Sequence, residues 1–157
     1  MLETAIIGGG LCGVALARSL HRQGREFALF EARPRLGGRA LSVPSAKSGM
    51  VLDLGPTWYW PDTQPLVTRR IAEIGLVDFE QHHAGIVLPL RGPDKPPGRV
   101  DNGGVHGGAR RLEGGMASLI DALANEVPAN ATHLGHVLTG LSDRGDCVAL
   151  AFRVGNG

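Results

Sequence analysis

Residues 2–31 read LETAIIGGGLCGVALARSLHRQGREFALFE, and this stretch decides the fold. Leu2 to Ile7 is a short apolar run that ends in three glycines, the pattern of a buried parallel strand entering a tight turn. Leu11 to Gln23 places apolar or small residues at Leu11, Val14, Ala15, Ala17 and Leu20 and polar ones at Arg18, Ser19 and Arg22. That spacing predicts a helix with one buried face, stopped by Gly24. Phe27 to Phe30 is a second apolar run and closes at Glu31. Strand, glycine turn, helix and strand in this order make a βαβ unit with a right-handed crossover.

The turn itself carries chemistry. Gly8-Gly9-Gly10-Leu11-Cys12-Gly13 fits G-x-G-x-x-G. In that pattern Gly8 permits the tight turn, Gly10 lets the backbone approach a pyrophosphate, and Gly13 lets the helix pack on the strand. The helix that begins at Leu11 and Cys12 then presents its free N–H groups and positive dipole end to the phosphates. Glu31, with Ala32 beside it, stands where a ribose diol would donate hydrogen bonds. A glycine string also occurs in plain turns, and a lone glutamate at a strand end also fits a solvated position. Their placement around one strand–helix–strand unit is what makes them a dinucleotide site, and NAD and FAD fit that unit equally. Cys12 reads as a small residue tolerated in the turn.

Composition bounds the rest. The 157 residues suffice for one domain with a hydrophobic core, and 43% apolar and 20% charged residues are ordinary for a globular chain. A net charge of +1 gives no reason to expect a nucleic-acid or anionic-membrane partner. The 24 glycines follow no collagen-like period and point to tight turns or backbone beside a ligand. No apolar run is long enough to span a bilayer, and Met-Leu-Glu-Thr has no basic region, so neither a membrane segment nor a signal peptide is expected. Cys12 and Cys147 lie far apart, and the expectation is a cytoplasmic protein with reduced thiols. The histidines His82, His83, His106, His133 and His136 match no common zinc spacing, so no metal is expected.

Farther along, Arg33 to Ser48 reads as irregular, Met50 to Leu54 as a short strand, and Pro56 to Pro65 as an aromatic, Pro-rich loop. Leu66 to Ile74 is helical with Gly75 as its stop, and Gly85 to Leu90 and Gly104 to Arg110 read as strands. Met116 to Glu126 is an amphipathic helix opened by Gly114-Gly115. His133 to Leu141 and Cys147 to Val154 read as paired strands. The expected class is α/β, a Rossmann-like FAD/NAD(P)-binding domain with a central parallel sheet, the βαβ unit and a β-meander. One such domain spans residues 1–157, with a short substrate-side insert at about 60–110. The terminal Gly155-Asn156-Gly157 is a hairpin turn signal without a returning strand, and it predicts that the domain is incomplete at its C-terminus.

The residues after Glu31 separate the two cofactors. Glu31-Ala32-Arg33-Pro34-Arg35-Leu36-Gly37-Gly38-Arg39, followed by Ser42, resembles the stretch after the second strand in the flavin amine oxidase family. That family includes monoamine, polyamine, L-amino-acid and protoporphyrinogen oxidases and phytoene desaturases. Physically, Gly37 and Gly38 let the chain pass close to a cofactor, while Arg33 and Arg39 can neutralise two phosphate charges. Asp53-Leu54-Gly55-Pro56-Thr57-Trp58 is similar to the family's flavin-side segment, and Arg110-Arg111-Leu112-Glu113-Gly114-Gly115-Met116 to its helix opening. Val137 aligns with a strand position whose backbone meets adenine. Trp58, Tyr59 and Trp60 either line the substrate side of the flavin or pack onto the protein.

The resemblance runs from Ile6 to about Val154 and is strongest over residues 6–58. It implies FAD bound without a covalent link, an amine as the small-molecule substrate, hydride transfer from a C–N bond to the flavin, and reoxidation by dioxygen. It also implies a gap: the interval from Gly55 to Gly114 is short for the family, and the family's active-site lysine comes from later in the chain. Neither Lys47 nor Lys95 stands in a catalytic context, so the catalytic residues are unknown and the site is expected to be incomplete here. Two rivals remain. An NAD-dependent oxidoreductase explains Gly8 to Glu31 but not Gly37-Gly38-Arg39, and a non-catalytic FAD-binding fragment is compatible with every motif.

Overall fold

The structure is a computed structural model that describes residues 1–82, 84–101 and 107–155. In chain order it contains β1 (Thr4–Ile7), α1 (Leu11–Arg22), β2 (Phe27–Phe30), β3 (Ser42–Pro44), β4 (Val51–Asp53), α2 (Pro65–Ile74) and β5 (Asp78–Glu80). These are followed by β6 (Ile86–Val87), β7 (Val100–Asp101), β8 (Arg110–Leu112), α3 (Ala117–Ala124), β9 (Thr132–His133), β10 (His136–Asp143) and β11 (Val148–Val154). They divide into two units, Met1–Pro56 with Gly114–Gly157, and Thr57–Glu113.

The first unit is built on the expected Rossmann-like βαβ. β1 pairs with β2 in parallel, Thr4 opposite Phe27 through Ile7 opposite Phe30, and β9 adds to the far side of β2, also in parallel. Apolar residues on both faces of the central strand β2 are buried, as a parallel strand covered on two sides requires. α1 packs on this sheet through Val14, Ala17 and Leu20, and α3 adds Leu119, Ile120 and Leu123 to the same core. α1 ends where Gly24, at φ 67°, turns left-handed and lets the Arg25 N–H reach the Leu20 carbonyl at 3.0 Å. Arg18 on α1 is 3% exposed, and its charge is met by Glu126 just beyond α3 at 2.8 Å. Arg22, one turn on, reaches the same carboxylate at 2.7 Å. The hydrogen bond from Arg18 pulls the Glu126 carboxyl below its ordinary value.

Two antiparallel hairpins complete this unit, β3–β4 and β10–β11. The second carries the pairing expected for its two segments, but among the described residues it is a two-stranded hairpin rather than a meander. One strand expected over His133 to Leu141 is instead two. Gly135, at φ 70°, breaks it, so β9 joins the parallel sheet while β10 leaves to pair with β11. The stretch read as irregular contains β3, which is held by its partner β4 rather than by a pattern of its own.

The second unit holds α2 and the antiparallel pairs β5–β8 and β6–β7. Of the strand expected over Gly104 to Arg110, residues 104–106 lie outside the described residues; β8 begins at Arg110. Tyr59, 2% exposed, bridges to Arg110 through both backbone hydrogen bonds, and its hydroxyl donates to the Asp78 carboxylate. Arg110 grips that carboxylate with Nε at 2.5 Å and Nη2 at 3.0 Å. Burial, then the bond to Asp78, pushes the Tyr59 phenol from 10.0 up to about 12. The hydrogen bond from Arg110 holds the Asp78 carboxyl below its ordinary value.

Leu29 is fully buried in the central strand, so Leu29→Ala should cost about 2–5 kcal/mol in urea unfolding. Tyr59 is the one tyrosine in the chain, so phenolate absorbance reads it alone. A midpoint near 12 is expected in the folded protein, and one at 10.0 would remove Tyr59 from this network. Because the raised phenol holds its proton more tightly folded than unfolded, its stabilising contribution is complete below pH 10.0 and disappears as pH rises towards about 12.

Candidate functional site

The glycines of the first turn have three distinct structural reasons, legible from what a methyl group would meet at each. Gly8 sits at φ 103°, a turn conformation that side chains disfavour. A Cβ on Gly13 would lie 1.9 Å from the Gly8 carbonyl oxygen, so the first turn of α1 rests directly on the strand exit. A Cβ on Gly10 would meet nothing within 4 Å. No protein contact demands a glycine there; the open space above it is where a ligand can touch the backbone. Gly9, the unspecified position of the motif, is also crowded, though less rigidly than Gly13: its Cβ would lie 2.4 Å from a movable Leu36 methyl and 3.1 Å from Glu31 Cβ. Sequence reasoning missed it because the pattern leaves that position open.

Glu31 binds this turn from the end of β2. The residue is 8% exposed, and its carboxylate accepts the Gly9 N–H at 2.7 Å and the Arg33 N–H at 2.8 Å. The Gly37-Gly38 segment then packs against the turn. The Gly37 N–H donates to the Gly9 carbonyl at 2.7 Å, and a Cβ on Gly38 would stand 3.2 Å from Gly10 Cα. Two glycine segments separated in sequence therefore lie backbone to backbone, with Leu11 and Cys12 exposed at the start of α1. Ala32 and Arg33 are exposed beside Glu31, and Arg39 is exposed past Gly38 with no hydrogen bond or ion pair among the described residues. Val137 follows His136, whose N–H donates to the Glu31 carbonyl at 2.9 Å, so β10 starts at the same corner.

Helix starts differ within this unit. α1 has no side-chain cap and no acidic residue in its first turn, leaving its unpaired N–H groups to water or an anion. α3 is capped from a distance. Asp53 accepts the Met116 N–H at 2.8 Å, Ser42 accepts the Ala117 N–H at 2.9 Å, and the Ser42 hydroxyl donates to Asp53 at 2.5 Å. Gly115 has to be a glycine for this, since its Cβ would fall 2.6 Å from Ser42 Oγ. Gly55 is placed next to Arg39, where a Cβ would lie 2.0 Å from the Arg39 carbonyl oxygen, and Pro56 follows it in the open.

Thr57 and Trp58 open the second unit, where the Trp58 indole N–H donates to Gln81 at 2.8 Å. Tyr59 is a core residue of that unit. Both cysteines are free thiols, and among the described residues no group of His, Cys, Asp and Glu could hold a metal ion. His83 and His106 lie outside the described residues. No helix of the described residues is long and apolar enough to cross a membrane.

These contacts put numbers on the different roles expected for Gly10 and Gly13. Gly13→Ala should destabilise the chain by about 2–4 kcal/mol, because the helix must move off the turn. Gly10→Ala should cost less than about 1 kcal/mol, the ordinary penalty for alanine at a helix start. Chemical unfolding of both variants checks this, and equal losses would overturn it.

Comparison with known proteins gives the same fold class. The NAD(P)-binding Rossmann-like domain family profile matches residues 6–74. Flavin-containing amine oxidase B of Homo sapiens is 34% identical over 102 residues, covering 60% of this chain and 19% of that protein. Pseudooxynicotine dehydrogenase of Pseudomonas sp is 41% identical over 75 residues, 47% of this chain and 14% of that protein. The chain thus spans about a fifth or less of the curated relatives it matches. Among solved structures, wild-type putrescine oxidase bound to putrescine superposes with a TM-score of 0.79 at 16% identity, over 96% of this chain and 54% of that one, a likeness of fold. By sequence the chain is similar to part of the flavin-containing amine oxidases, and over residues 6–74 it carries the NAD(P)-binding Rossmann-like domain.

Proposed function

We propose that this chain holds the ADP half of FAD without a covalent link and forms the front of an FAD-dependent, amine oxidase-type oxidoreductase. The observation that carries the reading is the uncapped start of α1 beneath the open space at Gly10, braced from behind by Gly37 and Gly38. The relatives contribute the choice of flavin and of an amine substrate, since they are named flavin-containing amine oxidase and putrescine oxidase.

Within this reading each residue has a role set by its chemistry. Gly8, Gly10 and Gly13 shape the turn, and the N–H groups at Leu11 and Cys12 receive the pyrophosphate. Both Glu31 oxygens already accept one backbone N–H each, and their remaining lone pairs take the ribose hydroxyls. Ala32 and Val137 flank the adenosine by their backbones, and Arg33 and Arg39 supply positive charge. Gly37 and Gly38 line the cofactor's path, and Gly55, Pro56, Thr57 and Trp58 serve the flavin side. When bound, the flavin supplies hydride acceptance and passes electrons to dioxygen. No residue of this chain is assigned to bond-breaking, and neither lysine is placed in that role.

The test is retention of FAD after gel filtration, read by visible absorbance. The unmodified chain should carry flavin, and Gly10→Ala should lose affinity at least about tenfold while staying folded. A chain that retains no flavin but binds NADH would overturn the flavin reading.

A further inference from the structure

The loop after β2 carries three arginines in three different states. Arg39 is exposed and without a protein partner among the described residues. Arg33 is also exposed and spends one nitrogen on the Gly38 carbonyl at 3.0 Å. Arg35 is half-buried and committed to carbonyl oxygens of its own loop. Its Nη1 donates to Leu36 at 3.0 Å and Ala40 at 3.3 Å, and its Nη2 to Gly38 at 3.0 Å.

These bonds decide which way the loop's dipoles face. In a trans peptide the carbonyl of one residue and the N–H of the next point to opposite sides. With the Gly38 carbonyl drawn to Arg35 and Arg33, the Arg39 N–H faces away from them. The Gly37 carbonyl is likewise occupied, by the Ala40 N–H at 2.9 Å, which turns the Gly38 N–H to the other side of that peptide. The N–H groups of Gly38 and Arg39 have no acceptor among the described residues, and a Cβ on Gly38 would stand 3.2 Å from Gly10 Cα. A carbonyl turned towards this corner would repel an anion, whereas two free N–H groups attract one.

We propose that Arg35 is a positioning residue for the pyrophosphate site: its guanidinium gathers the loop's carbonyls so that the Gly38 and Arg39 N–H groups, with the Arg39 side chain, are left for the phosphates. The proposal rests on the dinucleotide reading above. It separates two arginines that charge alone would equate, since Arg35 acts through the backbone and Arg39 on the ligand. A lysine cannot replace Arg35, because a single ammonium point charge lacks the planar fork that spans three carbonyls.

The experiment compares binding of ADP and of adenosine to the unmodified chain, Arg35→Gln, Arg35→Lys and Arg39→Gln at several salt concentrations, with thermal midpoints measured alongside. Arg35→Gln should weaken ADP about tenfold, leave adenosine within about twofold, and keep both the midpoint and the salt dependence of ADP binding. Arg35→Lys should resemble Arg35→Gln. Arg39→Gln should weaken ADP and flatten its salt dependence, as loss of a direct ion contact requires. A flattened salt dependence in Arg35→Gln would make Arg35 a phosphate ligand and overturn the proposal. So would an unchanged ADP affinity, full rescue by lysine, or a parallel loss of ADP, adenosine and thermal midpoint, which would mark a purely structural role. An unmodified chain that binds neither ADP nor adenosine would instead sink the dinucleotide reading, and Arg35's role with it.

Discussion

One carboxylate ties the candidate site together. Glu31 reaches back from the end of β2 to the Gly9 N–H and forward to the Arg33 N–H, while its own main chain bonds to His133 on one strand and to His136 on the next. The glycine turn, the arginine loop, β9 and the start of β10 therefore share a single anchor. A nearly buried carboxylate is tolerable only if its charge is solvated by donors, and the two backbone N–H groups do this without introducing a fixed cation. Had a lysine or arginine side chain filled that role, the corner would already be neutralised by a bulky group. Backbone donors leave it small and open, with lone pairs to spare.

The same economy of donors distinguishes the two helices of the first unit. The start of α3 is closed by Asp53 and Ser42, which come from two adjacent strands and bring their own hydrogen bond with them. The start of α1 receives no side-chain cap from the described residues. A helix start leaves four N–H groups without intrahelical partners, and natural sequences generally supply Ser, Thr, Asp or Asn to meet them. Gly10 in that position, with open space above it, is a local departure from good helix design. Such departures concentrate where a ligand completes the structure.

Much of this was legible in the sequence because its determinants are local. The βαβ unit announces itself through two apolar runs and one amphipathic helix, and the positions of Gly8, Gly10 and Gly13 follow from a single turn. What was not legible depends on segments distant in the chain. Asp53 reads as the end of a short strand opening a flavin-side segment, and nothing in its neighbours indicates that it caps a helix at Met116. Arg35 sits between two arginines of the same type, and only the conformation of Gly37 and Gly38 shows that it faces inward. Tyr59 lies between two tryptophans that suggested a shared role, yet its hydroxyl is claimed by Asp78 and Arg110. The split at Gly135 followed from the competition of two sheets for one stretch of chain, which periodicity cannot register.

The first unit is interrupted, since the chain leaves it after Pro56 and re-enters it at Gly114. The pairing of β2 with β9 and the packing of α1 on α3 must both wait until that interval has been made and its ends brought together. Such closure slows folding, because non-local contacts form only after the entropy of the loop has been overcome. Its equilibrium penalty is nevertheless shallow, rising by only about 0.6 kcal/mol for each doubling of the interval. Lineages of this fold can therefore lengthen or shorten the segment between Pro56 and Gly114 with little thermodynamic resistance, while the corner around Glu31 stays as it is.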